Sequence, residues 1–206
     1  MVKSLLILIY FLFKLSDSEA KTLFVGENES IQTLKEAIRL AENGDTLLIR
    51  SGIYKEHDLL ITKSIHIIAE PNALLDGEKF GGLLFSGIDT FSISGLSFTN
   101  IGISYTSDLA AIKVSKSKDF IIQDCVLENV FFGILIEKSK RGTIRNNHVS
   151  SVRKNEASSG NGIHIWSGDD MDVHDNELFG LRDGIYFEFV KNSRIYSNYS
   201  HDNLRY

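Results

Sequence analysis

From residue 110 onward, apolar and polar positions alternate in short bursts, and the bursts recur. With Ala111, Gly133, Gly162 and Gly184 as origins, the next position holds Ile112, Ile134, Ile163 and Ile185. Two positions further on stand Val114, Ile136, Ile165 and Phe187, and later in each unit Ile122, Ile144, Val173 and Ile195. All are Ile, Val or Phe, which suit a pleated, half-buried strand. Alternation of this kind predicts strands, and no segment beyond residue 45 sustains a helical period. The origins lie 22, 29 and 22 residues apart. The longer step contains the polar run RKNEASS, 153–159, which reads as a seven-residue loop insertion. A fainter copy of the unit, FSISGLSF, surrounds Ile93 and Leu96.

Short strands at a fixed period near 22 residues predict stacked coils. The expected fold is all-β, a right-handed parallel β-helix of about six coils. Equivalent slots then stack about 4.8 Å apart, so the Ile columns fill the interior. Cys125, Asn147, Asn176 and Asn198 share one slot at a predicted turn. There a side-chain amide can bond the amide of the next coil while the backbone turns left-handed. At the other end, Ser30 precedes IQTLKEAIRLAENG, with Ile31, Leu34, Ile38 and Ala41 on one face and Asn43-Gly44 as a stop. This predicts a short amphipathic capping helix over 31–42. The chain ends eight residues past Asn198 with no comparable cover, so further C-terminal coils are expected.

The start of the chain changes the picture of location. MVK supplies positive charge, Leu5 to Phe13 is unbroken apolar sequence, and Ser18-Glu19-Ala20 places small residues at a cleavage site. Residues 1–20 therefore read as a signal peptide, with the β-helix domain occupying 21–206. A formal net charge of -5 argues against binding nucleic acid. The single cysteine excludes an internal disulfide and a cysteine-built zinc site.

IQTLKEAIRLAENGDTLLIRSGIYKE resembles the opening of exported β-helix proteins of the carbohydrate-binding and sugar-hydrolysis repeat family. RDGIYFEFVKNSRIYSNYSHDNLRY, from Arg182 onward, is similar to the NosD family of periplasmic accessory proteins. That resemblance implies a non-enzymatic scaffold in copper delivery to nitrous oxide reductase during denitrification. It implies partnership with the permease and ATPase of a copper-associated ABC transporter, a copper-chaperone lipoprotein and the reductase itself. Contact with the membrane would come only through these partners.

Copper takes soft or imidazole ligands. Cys125 and Met171 read as small buried residue and core filler, which leaves His164, His174 and His201 as the candidate metal set. His164 and His174 alternate with inward residues and should point outward, on different strands. His148, which follows the Asn slot, reads as structural as readily as ligating. Arg182, Tyr186 and Glu188 form an expected docking strip, since outward aromatic and charged columns make contact surfaces. The acidic run at Asp169, Asp170, Asp172 and Asp175 does not follow a calcium-loop spacing and reads as a polar turn. The competing class is a polysaccharide-active enzyme: a lyase, glycosidase or uronate epimerase. A glycosidase needs two carboxylates facing one groove. Yet Asp172, Asp175 and Glu177 are followed one coil later by Arg194, Ser197 and Tyr199, so no acid stacks on an acid.

Overall fold

The computed structural model describes residues 19–205 apart from 105, 153 and 154. Nearly all of the leader expected over residues 1–20 lies outside the described residues. Among those residues no helix is long and apolar enough to cross a membrane.

The strands form three parallel sheets of eight, six and seven strands, designated sheets 1, 2 and 3. Each full coil contributes one strand to sheet 2, then sheet 1, then sheet 3. Phe132–Glu137, Lys140–Arg145 and His148–Ser150 make one such coil. Ile163–Trp166, Asp169–His174 and Glu177–Phe179 make the next. Ile185–Glu188, Arg194–Tyr196 and Tyr199–His201 make the last. Six complete coils stack in this way, preceded by an incomplete turn.

The predicted columns are present in register. Ile112 pairs Ile134, Ile134 pairs Ile163 and Ile163 pairs Ile185. Ile122, Ile144, Val173 and Ile195 make a parallel file in sheet 1. Burial is complete except in the last coil, where Ile195 is 49% exposed. The difference is positional, because no described coil packs on its far side. Farther down the interior, Phe91 stacks between Phe85 and Phe120, with ring centroids 4.1 and 5.2 Å away. In the next coil the slot of Phe120 belongs to Gly142. A Cβ there would lie 2.2 Å from Phe120 Cζ, so only glycine leaves room for the ring.

The Asn ladder forms as the spacing predicts. Asn147 Nδ2 donates to Asn176 Oδ1, and Asn176 Nδ2 to Asn198 Oδ1, each at 2.9 Å. Asn147 Oδ1 accepts from the backbone N–H of Cys125 at 3.1 Å. The left-handed residue, however, is not the ladder residue but the one before it: Asp124, Asn146, Asp175 and Ser197 have φ between 53° and 55°. The bend is made by the corner residue, and the amide that follows turns inward to satisfy carbonyls such as Ile144 O and Val173 O. A second ladder, of hydroxyls, runs at another corner. Ser117 Oγ accepts from the backbone N–H of Ile88, and Ser139 Oγ from that of Ser117, each at 3.1 Å.

The capping helix is shorter than predicted, Leu34–Leu40, with Thr33 as its N-cap in place of Ser30. Ile31 instead bridges to Val25 as extended chain. The predicted apolar face is nonetheless buried. Side chains from the first coils hold both ends: Glu56 accepts from the backbone N–H of Leu34 and Lys35, and Lys63 Nζ donates to the carbonyls of Ile38, Arg39 and Ala41. Such contacts satisfy groups that a helix end leaves unpaired.

Candidate functional site

Alternation leaves every second residue of sheet 2 facing outward. One outward column runs Lys113, Leu135, His164, Tyr186; its neighbour runs Ser115, Glu137, Trp166, Glu188. Beneath the flanking loops lies an apolar cluster separate from the interior, made of Ala110, Phe131, Phe132 and Leu135. A cavity of about 330 Å³ opens above it, lined by Asp108, Phe132, Leu135, Glu137, His164 and Trp166. Lys113 Nζ holds Glu137 at 3.1 Å and Asp108 at 3.9 Å.

His164 sits in this wall with 16% of its side chain exposed. Phe132 lies against it at 5.7 Å between ring centroids, and Tyr186 edge-on at 5.0 Å. Neither ring nitrogen has a hydrogen-bond partner. Glu188 Oε2 is 4.0 Å from Nε2, beyond hydrogen-bond reach. Burial disfavours the imidazolium and lowers the pKa of His164, with Glu188 opposing. The ring is therefore neutral at pH 7, offering one donor and one acceptor.

Around the corner the histidines behave differently. Glu177 takes His148 Nδ1 at 3.0 Å on one oxygen and His201 Nε2 at 3.4 Å on the other. The three residues come from three successive coils of sheet 3. Asp202 Oδ2 meets His201 Nδ1 at 2.8 Å, and that hydrogen bond is the main reason its pKa is raised. The same imidazole contacts, His148 first, lower the pKa of Glu177. His174, on sheet 1, contacts Asp175 at 2.6 Å and stacks on Tyr196.

The candidate metal set is thus dispersed: His164, His174 and His201 lie on three different sheets. Among the described residues no three His, Cys, Asp or Glu side chains are disposed to hold a metal ion. Cys125 is fully buried, and desolvation pushes its thiol up to about 12. Met171 is interior. In the expected docking strip, Tyr186 and Glu188 are well exposed, but Arg182 is engaged by Asn161 and the buried Asp183. The acidic run resolves into corners and pairs: Asp170 and Asp175 are left-handed, and Asp172 pairs Arg194 at 2.7 Å. Sequence reasoning missed Asp108, Phe132, Glu137 and Trp166. The signal for the last two was available, since they share the outward column of Glu188.

Comparison with known proteins agrees with the fold. The model described as right handed beta helix region matches residues 81–206. The chain belongs to the right-handed β-helix family. Within the family it is similar to "Probable ABC transporter binding protein NosD" of Pseudomonas aeruginosa, 29% identical over 131 residues. That match covers 62% of this chain but 30% of the relative, so the chain spans well under half of that protein's length. A glycosyl hydrolase candidate from Parabacteroides merdae superposes with a TM-score of 0.53 at 16% identity, covering 73% of this chain and 82% of that one. Pectin methylesterase PemA from Erwinia chrysanthemi reaches a TM-score of 0.47 at 14% identity, covering 86% and 70%.

Proposed function

We propose that the chain is an exported, non-enzymatic scaffold of the NosD type, acting beside an ABC transporter in copper delivery to nitrous oxide reductase. The observation that carries this reading is the similarity to a protein named as an ABC transporter binding protein. The solved structures contribute the fold alone. The partners are the transporter's permease and ATPase, a copper-chaperone lipoprotein and the reductase, and the compartment is the periplasm.

Copper is cargo of the pathway in this reading. The dispersed histidines, inaccessible thiol and interior methionine favour recognition over metal carriage for this part of the molecule. Recognition falls to the outward face of sheet 2, where Tyr186 and Glu188 stand exposed on adjacent columns of a rigid frame.

Co-expression with the transporter permease, followed by affinity purification, tests the reading. The wild-type chain should retain the permease, and Glu188→Lys combined with Tyr186→Ala should reduce recovery at least about tenfold, as expected for loss of a central contact. Equal recovery from both would remove sheet 2 as the docking face. Release of sugars from a uronate polymer by the purified protein would transfer it to the enzyme class.

A further inference from the structure

The outer face of sheet 2 carries an arrangement that docking by shape alone does not require. Trp166 is placed between Glu137 on the coil below and Glu188 on the coil above. One rung separates each pair, about 4.8 Å. An indole flanked by two carboxylates attracts cations through both ring and charge. The indole already accepts one, since Lys138 Nζ lies 4.8 Å from its ring. Glu137 is partly neutralised by Lys113. Glu188 is not: among the described residues the basic side chain nearest to ion-pair reach is His164, at 4.0 Å.

His164 supplies an independent observation. Its ring nitrogens are covered and unpartnered beside the cavity. Leaving buried polar atoms unpaired is costly, so such a group calls for a physical explanation. The gap between its Nε2 and Glu188 Oε2 is too wide for a direct bond but suits a planar group with adjacent N–H donors. A guanidinium has that fork and no acceptor of its own. A neutral imidazole can accept one of its hydrogens, with the ring proton on Nδ1, while the carboxylate accepts another. Glu188 and Tyr186 stand beside His164 outside the cavity lining and are the groups that must rotate to admit it.

We infer that the Trp166 cavity is a specific receptor for an arginine side chain of a partner polypeptide, held between Glu188 and His164 against the indole. This rests on the reading of sheet 2 as a docking face and names the chemistry that the face selects. An acidic chain, at net charge -5, suits a basic partner segment.

Trp166 is the single tryptophan of the sequence, so its fluorescence reports on this cavity. The probes are acetyl-Gly-Arg-Gly-amide and the isosteric citrulline peptide, titrated to millimolar concentration at low salt. The arginine peptide should change the emission saturably, and the citrulline peptide should bind about tenfold more weakly, having lost the charge-assisted bonds. Glu188→Gln should cost the arginine peptide a similar factor, with an unchanged circular dichroism spectrum. Absence of a saturable response, equal responses to the two peptides, or full affinity in Glu188→Gln would each overturn the inference. So would a saturable response to maltotriose matching that to arginine, which would make the cavity a general polar cleft. If the peptide binds but the permease is not retained, the transporter reading fails and the receptor stands. If the permease is retained while arginine is ignored, only the receptor fails.

Discussion

His164 and His201 occupy neighbouring coils of one solenoid, yet their surroundings act on them in opposite directions. On sheet 2, loops and aromatic rings bury His164 and leave its nitrogens without partners, so its pKa falls. On sheet 3, His201 stands between Asp202 and Glu177 with solvent beside it, so its pKa rises. One site is completed within the protein and acts as a clasp between coils. The other holds unsatisfied capacity beside a cavity. The contrast is that the same repeat leaves polar groups unpaired on sheet 2 and pairs them on sheet 3.

Removing the frame that both sites share should produce the largest effect. The Asn176 amide serves Asn147, Asn198 and the Ile144 and His174 carbonyls within the buried ladder. Asn176→Ala orphans several of these groups and should destabilise the protein by about 3 kcal/mol in chemical denaturation. It should also loosen both histidine sites, as read by proteolysis of the last two coils.

The two sites separate under His164→Leu. Here an apolar side chain replaces ring nitrogens that have no partner, against Phe132 and Leu135, so stability should rise by about 1 kcal/mol. Any response of Trp166 to the arginine peptide should disappear at the same time. A loss of stability on this change would mean that His164 makes a contact that pairs it in solution, and the contrast with His201 would collapse.

The smallest effect is the sign of the pH dependence. His201 has a raised folded pKa, so its contribution is fully present below its unfolded value of 6.5 and is lost as pH rises through the folded value. Glu177 has a lowered one, so its contribution is present above 4.5 and is lost as pH falls through its folded value. The clasp is therefore strongest between these limits. His164, lowered, gives the opposite trend to His201: stability is present above 6.5 and declines as pH falls. Hydrogen exchange at the Tyr199–His201 amides should accelerate from pH 6 to pH 8 after correction for intrinsic rates, and His201→Ala should flatten that trend. In Glu177→Gln the trend should weaken but persist, because Asp202 still holds His201.

Much of the architecture could be read from residue order because strand side chains alternate strictly, so a column of Ile at constant spacing has only the interior to occupy. The repeat placed Ile134, Ile163 and Ile185 and the Asn ladder correctly. The same logic placed His164 and Glu188 outward. It mistook the left-handed corner by one residue and began the helix too early. Helix caps and bends depend on which nearby oxygen reaches an N–H, and that distance is not encoded in periodicity.

What sequence alone determined is the inside of the molecule: period, register, ladder and the residues that fill the core. Tertiary structure alone decided what happens outside it. Only the stacking of three coils brings His148, Glu177 and His201 together, and only the fold of the loop near Asp108 over sheet 2 makes a cavity around Trp166. The physical reason is that inward positions are constrained by close packing against identical neighbours, whereas outward positions meet whatever the corners and excursions carry to them.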